Sequence, residues 1–228
     1  MALILSIETS ATICSAALHK DGKLINTHEI NEPQAHAARL APLIRDLFKN
    51  AGMDTSALDA VALSSGPGSF TGLRIGASTA KGICFALNVP LIAITTLDLL
   101  TFTALKAIDE PGLLCPMIDA RRMEVYCQVF DQDLKVVQPI EAKVLDEFSF
   151  SELLDKGKVF FFGDGAEKSR QVIKHPSAVF LADIYPTASV LGEIAVQRFA
   201  TRVFEDLETF TPLYLKEFIA KKAQSFFN

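Results

Sequence analysis

An apolar run that ends in an acid occurs twice in this chain, and each time the same series of elements follows it. LILSIE (3–8) and LLCPMID (113–119) end at Glu8 and Asp119, 111 positions apart. Short continuous apolar runs bounded by turn residues predict strands buried on both faces of a sheet. After the first run come ICSAALHK and KLINTHEI, joined across Asp21-Gly22, a dipeptide that favours a tight hairpin turn. After the second come EVYCQVFD and KVVQPIE, joined across Gln132-Asp133-Leu134. Sequence identity between the halves is negligible, so what is duplicated is the order of elements.

The remainder of each half extends the pattern. Leu40, Leu43, Ile44, Leu47 and Phe48 recur at helical spacing over residues 37–49. Pro42 falls inside that run and predicts a kink or a late start, and Gly52 predicts the stop. DAVALS (59–64) reads as a strand, 70–87 as a helix and VPLIAIT (89–95) as a strand. In the second half, a segment capped by Ser149 or Ser151 reads as helical through Leu154, and KVFFFG (158–163) as a strand. A Gly163-Asp164-Gly165 turn then leads into a helix to about Lys174. SAVFL follows as a strand, and Pro186-Thr187 opens an amphipathic helix over about 187–206. The boundary falls at 105–112, giving lobes 1–108 and 109–228, with the last segment expected to pack back on the first lobe. Two ββαβα-type halves face to face resemble the α/β, duplicated ribonuclease-H-like architecture of the actin, hexokinase and Hsp70 superfamily. There, loops after the first strands point at phosphates across a cleft between the lobes.

Charge narrows the function classes. Lys and Arg number 22 against 27 Asp and Glu, a net of −5, so a chain that grips nucleic acid alone by neutralising phosphates is disfavoured. No cation precedes the first apolar stretch, and no run approaches the roughly 18 apolar residues of a membrane span. Cys14, Cys84, Cys115 and Cys127 lack CxxC spacing and read as reduced thiols, so a cytoplasmic setting is expected. His19, His28, His36 and His175 show no i,i+4 or HExxH pairing, which argues against a metal site, and there is no GxSxG elbow.

The most unusual stretch is Ser64-Ser65-Gly66-Pro67-Gly68-Ser69-Phe70-Thr71-Gly72-Leu73-Arg74-Ile75-Gly76. A strand ends, a glycine-rich turn follows, and a helix begins with Ser69 or Thr71 as its cap. Such a junction can cradle a phosphate or carboxylate on backbone N–H groups with Arg74 nearby; it can equally be a turn that needs glycine for geometry alone. Gly72, Gly76, Ala80 and Cys84 then form a ridge of small residues, suited to a subunit interface or to contact with the chain's own sheet. Glu8-Thr9-Ser10 sits where actin-like ATPases place an acid and phosphate-facing hydroxyls, although no glycine follows. Asp119, Arg121 and Glu124 occupy the matching place in the second half, as a cleft-lining charged cluster or an ion-paired turn. Gly163 and Gly165 are candidate nucleotide contacts or simply turn residues.

ILSIETS, SGPGSFTGLRIG, DARRMEVY and YPTASVLG closely resemble the bacterial TsaB (YeaZ) family over the whole chain. The resemblance implies a part in making threonylcarbamoyladenosine beside the tRNA anticodon. A TsaC-type synthase there makes threonylcarbamoyl-adenylate, TsaD, a metal-containing paralogue, transfers the carbamoyl group, and the ATPase TsaE joins them. It implies a subunit with no catalytic residue and no cofactor of its own, a weak nucleotide site being the one candidate. TsaD carries an HxxxH metal pair where this chain has Thr96 and Leu100, so neither metal binding nor protease activity is carried over. The resemblance also implies homodimers, and heterodimers with TsaD, through the helices at about 35–49 and 70–86. The docking surface is expected at His36, Leu40, Leu43, Ile44, Leu47, Gly72, Leu73, Gly76 and Ala80, with a bulky residue at Gly76 expected to abolish TsaD binding in a folded monomer. Contact with tRNA is expected through the complex. The competing reading is an actin-like nucleotide-binding or phosphotransfer enzyme using Glu8, Thr9, Asp119 and the Gly66–Gly72 loop, which contains Gly68 and Thr71. Lys216, Lys221 and Lys222 in the closing segment read as RNA contacts or a solvated helix face.

Overall fold

A computed structural model describes residues 2–32 and 36–216, so Lys221 and Lys222 lie outside the described residues. The first half folds as β1 (Leu3–Glu8), β2 (Cys14–Lys20), β3 (Lys23–Ile30), α1 (His36–Ala51), β4 (Ala60–Ser64), α2 (Phe70–Leu87), β5 (Leu91–Ile94) and α3 (Thr96–Leu105). The second half folds as β6 (Leu113–Asp119), β7 (Glu124–Phe130), β8 (Val136–Val144), α4 (Ser151–Leu154), β9 (Val159–Phe162), α5 (Ala166–Val172), β10 (Ala178–Phe180) and α6 (Ala188–Ala200). Two five-stranded sheets result, ordered β3-β2-β1-β4-β5 and β10-β9-β6-β7-β8. In each, the acid-terminated strand pairs antiparallel with its hairpin and parallel with the next strand, Ile7 beside Leu63 and Leu114 beside Phe160.

The alternation of side chains along each strand decides which helix covers which face. Leu5, Ile7, Val61 and Leu63 meet Leu40, Leu47, Ala77 and Ala80, so α1 and α2 cover one face of the first sheet. Ile4, Ala60, Ala62 and Ile92 point the other way and meet Leu191 and Ala195 of α6. The last helix among the described residues thus completes the core of the first sheet. On the second sheet, Met117, Cys127 and Phe161 pack with Phe150, Leu153 and Ala166, while Leu114, Ile118 and Phe162 meet Leu97, Leu100 and Ala104. Because Leu99 of the same helix joins the first core, α3 is a wedge shared by both sheets.

Several boundaries differ from expectation. α1 begins at His36 and runs unbroken through Pro42, whose missing N–H faces the carbonyl of exposed Ala38. α4 is a single turn entered through Phe150 at φ 65°, and Ser149 is not its cap: the Ser149 hydroxyl donates to Asp146 Oδ1 at 2.8 Å. α6 stops at Ala200, not near 206, because Arg202 turns left-handed (φ 55°) and the Val203 N–H closes on the Arg198 carbonyl at 2.9 Å. The chain beyond then becomes a strap. Glu205 bridges Leu91 on the edge of the first sheet, Lys81 Nζ donates to the Phe210 carbonyl at 3.2 Å, and the Leu213 N–H donates to the Ser65 carbonyl at 2.7 Å.

Candidate functional site

The glycine-rich turn between β4 and α2 is laced to three other segments. Ser69 caps α2 by accepting the Gly72 N–H at 3.2 Å, while its own N–H donates to the Ser10 carbonyl at 2.7 Å. Thr9 Oγ1 donates to the Gly72 carbonyl at 2.8 Å, and the Thr96 N–H donates to the Gly66 carbonyl at 2.9 Å. A β-carbon on Gly72 would sit 2.0 Å from the Thr9 carbonyl oxygen, and one on Gly68 2.3 Å from that of Ser10. The glycines let the loop after β1 lie directly on the start of α2. Thr9, Ser10 and Leu213 of the strap lie against Gly72, Gly68 and Gly66, and the Ser69 and Gly72 N–H groups are already hydrogen-bonded.

Glu8 is fully buried. One carboxyl oxygen accepts from the Ser10 N–H and the Ser10 hydroxyl, each at 2.6 Å, and the other has no partner among the described residues. Burial pushes its pKa up, against smaller downward pulls from Ser10 and from the hydroxyl of Ser64. Burial in these surroundings favours the protonated carboxyl, and the group is closed off from solvent.

In the second half, Asp119, Arg121 and Glu124 do not form one cluster. Asp119 Oδ1 accepts from the Arg121 N–H at 2.5 Å and from Lys168 Nζ at 3.0 Å, and its own N–H donates to Asp164 Oδ1 at 2.8 Å. Glu124 is ion-paired with Lys216 of the strap. Gly163 and Gly165 bring the turn after β9 against β6, where the Gly165 N–H donates to the Met117 carbonyl at 3.1 Å. Arg121 and Arg122 are both left-handed, at φ 68° and 51°, in the tight turn between β6 and β7. Two non-glycine residues in the left-handed region cost about 1 kcal/mol each or more. Lys168 offsets that strain by also donating to the Arg122 carbonyl at 2.9 Å and to the Glu124 carbonyl. Both guanidinium groups are exposed and, among the described residues, make no ion pair.

Leu40, Leu43, Ile44, Leu47, Leu73 and Ala80 are buried in the chain's own core, and Gly72 and Gly76 are packed against Thr9. His36 ties α1 to the loop after β1, with its Nε2 3.1 Å from the Ala11 carbonyl oxygen. Amphipathic spacing finds the buried stripe of a helix, and the face open to a partner is the opposite one. There α1 and α2 expose Ala37, Ala38, Ala41, Ser78 and Gly82, and Phe85 is 83% exposed. No periodicity marks Phe85; a large aromatic off the apolar stripe of a helix is the signal that could have found it. Reading along the chain also misses the contact of Phe70 with Tyr214, ring centroids 5.2 Å apart, with the exposed Arg74 guanidinium 4.0 Å above Phe70.

The solved structure of YeaZ from Pseudomonas aeruginosa superimposes with a TM-score of 0.79 at 30% identity, covering 94% of this chain and 100% of that one. Lmo2764 of Listeria monocytogenes, described as a candidate N-acetylmannosamine kinase, shares the fold alone, with a TM-score of 0.53 at 9% identity over 88% of this chain and 99% of its own. Two equivalent mixed sheets around a shared helix, with acid-tipped first strands, define a duplicated ribonuclease-H-like protein of the actin type. A family model described as TsaD, tRNA N6-adenosine threonylcarbamoyltransferase, matches residues 29–224, and two relatives are similar along most of their length. The tRNA threonylcarbamoyladenosine biosynthesis protein TsaB of Escherichia coli strain K12 is 30% identical over 226 residues, 96% of each chain. That of Bacillus subtilis strain 168 is 29% identical over 196 residues, 84% of this chain and 80% of its own. The chain belongs to the TsaB (YeaZ) family. Thr96 and Leu100, where the resemblance puts the histidine pair of the transferase, are both buried on α3. No helix among the described residues is long and apolar enough to cross a membrane.

Proposed function

We propose that this chain is the non-catalytic subunit of a tRNA threonylcarbamoyl transfer system, required for modification of the adenosine next to the anticodon. It docks a TsaD-type transferase on the exposed face of α1 and α2, holds it in its active form and helps recruit a TsaE-type ATPase, and it pairs with itself through the same face when alone. The cytoplasm is its expected setting. The observation that carries this reading is how the loop after β1 is used. Thr9 and Ser10, which a nucleotide-hydrolysing relative would turn toward phosphate, bond to the start of α2 instead, while α2 keeps Phe85 exposed on its far side.

The test is reconstituted modification of unmodified tRNA with TsaC-, TsaD- and TsaE-type partners, with and without this chain. The expected result is product only when the chain is present, although the chain alone turns over no ATP. Product formed equally well without it removes the reading. Tight binding of Mg-ATP by the isolated chain in a calorimetric titration would favour the nucleotide enzyme.

A further inference from the structure

We infer that the Arg121-Arg122 turn, together with Arg74 on α2, is a direct contact for the phosphodiester backbone of RNA. This inference rests on the tRNA-modification reading and adds to it a substrate contact made by this subunit itself. Three observations converge.

First, these arginines are charge without a counter-charge. In a chain with a net charge of −5, Arg121 and Arg122 are exposed and, among the described residues, pair with no acid. The acids beside them are committed elsewhere, Asp119 to Lys168 and Glu124 to Lys216. Arg74 likewise pairs with no acid among the described residues, and its guanidinium is held over the Phe70 ring.

Second, the turn is held at a conformational cost. Two adjacent arginines have left-handed backbones that glycine or asparagine adopts with less strain. The turn is braced by Lys168, whose side chain is only 14% exposed and whose ammonium bonds two backbone carbonyls and Asp119. Strain kept at two exposed arginines, braced from beneath, sets two guanidinium donors side by side, the group that pairs bidentately with phosphate oxygens.

Third, one short stretch of the strap touches the neighbours of both groups. Tyr214 lies against Phe70, with Arg74 6.0 Å from its ring, and two residues later Lys216 pairs with Glu124, the residue that follows the turn into β7. Two residues of backbone span at most about 7 Å, so the strap ties the start of α2 to the start of β7. Exposed guanidinium groups, one of them beside Phe70 and Tyr214, suit a single RNA strand or loop better than a flat duplex.

The test uses the reconstituted complex of this chain with its TsaD-type partner, and measures binding of an unmodified tRNA transcript by fluorescence anisotropy over a range of salt. R121N/R122G removes the charge and relieves the turn, while R121Q/R122Q removes the charge and keeps the strained backbone. Expected is about ten-fold weaker tRNA binding for both, with the salt slope shallower by about 0.7–0.9 per arginine lost. R121N/R122G alone should also melt at a higher temperature than the parent, a change a purely structural role would not combine with lost affinity. R74Q should weaken binding in the same way.

Unchanged tRNA affinity and slope in all three variants, with modification still dependent on the chain, would overturn this inference and leave the functional reading intact. Loss of TsaD capture in the variants, with no change in salt slope, would overturn it in favour of an acidic protein partner. Modification that proceeds without the chain removes the functional reading first, and this contact with it.

Discussion

Gly76 lies so close to Thr9 that a β-carbon on it would stand 2.2 Å from the Thr9 hydroxyl oxygen. That hydroxyl is itself engaged, donating to the Gly72 carbonyl one turn earlier on α2. The ridge of small residues on α2 is therefore a seat for the loop after β1, and its glycines are an internal fit. Gly76→Ala should destabilise the chain by about 1–3 kcal/mol, the overpacking cost exceeding the roughly 1 kcal/mol that alanine gains over glycine in a helix. Urea unfolding is the measurement. A bulky residue at Gly76 is accordingly expected to disturb the fold first, so it is not a clean probe of docking.

Phe85 gives the cleaner probe. Its side chain is almost entirely solvated, so Phe85→Asp should leave the stability of the monomer within about 0.5 kcal/mol of the parent. If it anchors the transferase, the same change should cost about 2 kcal/mol or more of binding, roughly thirty-fold in Kd. Calorimetric titration of the variant into the TsaD-type partner reads this directly. Undiminished affinity would move the docking face off α2.

The buried Glu8 makes stability fall with rising pH. Burial raises its folded-state pKa above the ordinary carboxyl value, so the folded chain keeps a proton that the unfolded chain has lost. The stabilisation is complete below the unfolded pKa and declines, by about 1.4 kcal/mol per pH unit, as pH climbs from there toward the folded value. Glu8→Gln keeps an oxygen to accept from Ser10 and carries no proton to lose. Parent and variant should have similar unfolding midpoints near about pH 4, and the variant should become progressively more stable at higher pH. Parallel curves from about pH 4 to 8 would mean that Glu8 is ionised in the fold.

At Gly192, α6 comes down on His19. A β-carbon there would fall 2.1 Å from the His19 Nδ1, a buried atom with no hydrogen-bond partner among the described residues, and burial also lowers the pKa of this ring. Gly192→Ala should cost about 2 kcal/mol and loosen α6 from the first sheet. Hydrogen exchange should show faster exchange across β1, β2 and α6 than across β6 and β9. A uniform change over both sheets would mean that the two halves open as one unit.

The duplicated order of elements was legible because each half is built from strands whose patterns are self-contained: LILSIE and LLCPMID advertise burial on both faces, and Asp21-Gly22 advertises its hairpin. α3 was not legible. Leu97, Leu99, Leu100 and Ala104 are divided between two cores, so the helix is apolar all round and shows no stripe. The destination of α6 was equally hidden, since Leu191 and Ala195 announce an apolar face without saying which sheet receives it. At the site, the glycine-rich turn stood out in the sequence as an anion cradle or a turn shaped by its own backbone, and in the fold its glycines admit the close approach of another segment. Spacing alone could not say that this segment is the chain's own Thr9-Ser10 loop and not a phosphate. The Arg121-Arg122 pair was visible as charge, while its strained backbone and its support from Lys168, 46 residues away, exist only in three dimensions.

The shared use of α6 has a consequence for synthesis. The strands of the first sheet have all been made by the time Leu105 is added, yet the helix that covers Ile4, Ala60, Ala62 and Ile92 is complete only at Ala200. At translation speeds of about 5–20 residues per second, the part of that face that α6 covers stays bare for roughly 5–20 s. The growing chain therefore carries a naked apolar sheet through much of its own production. It is during this interval, before the finished molecule exists, that a ribosome-bound chaperone has the most to protect.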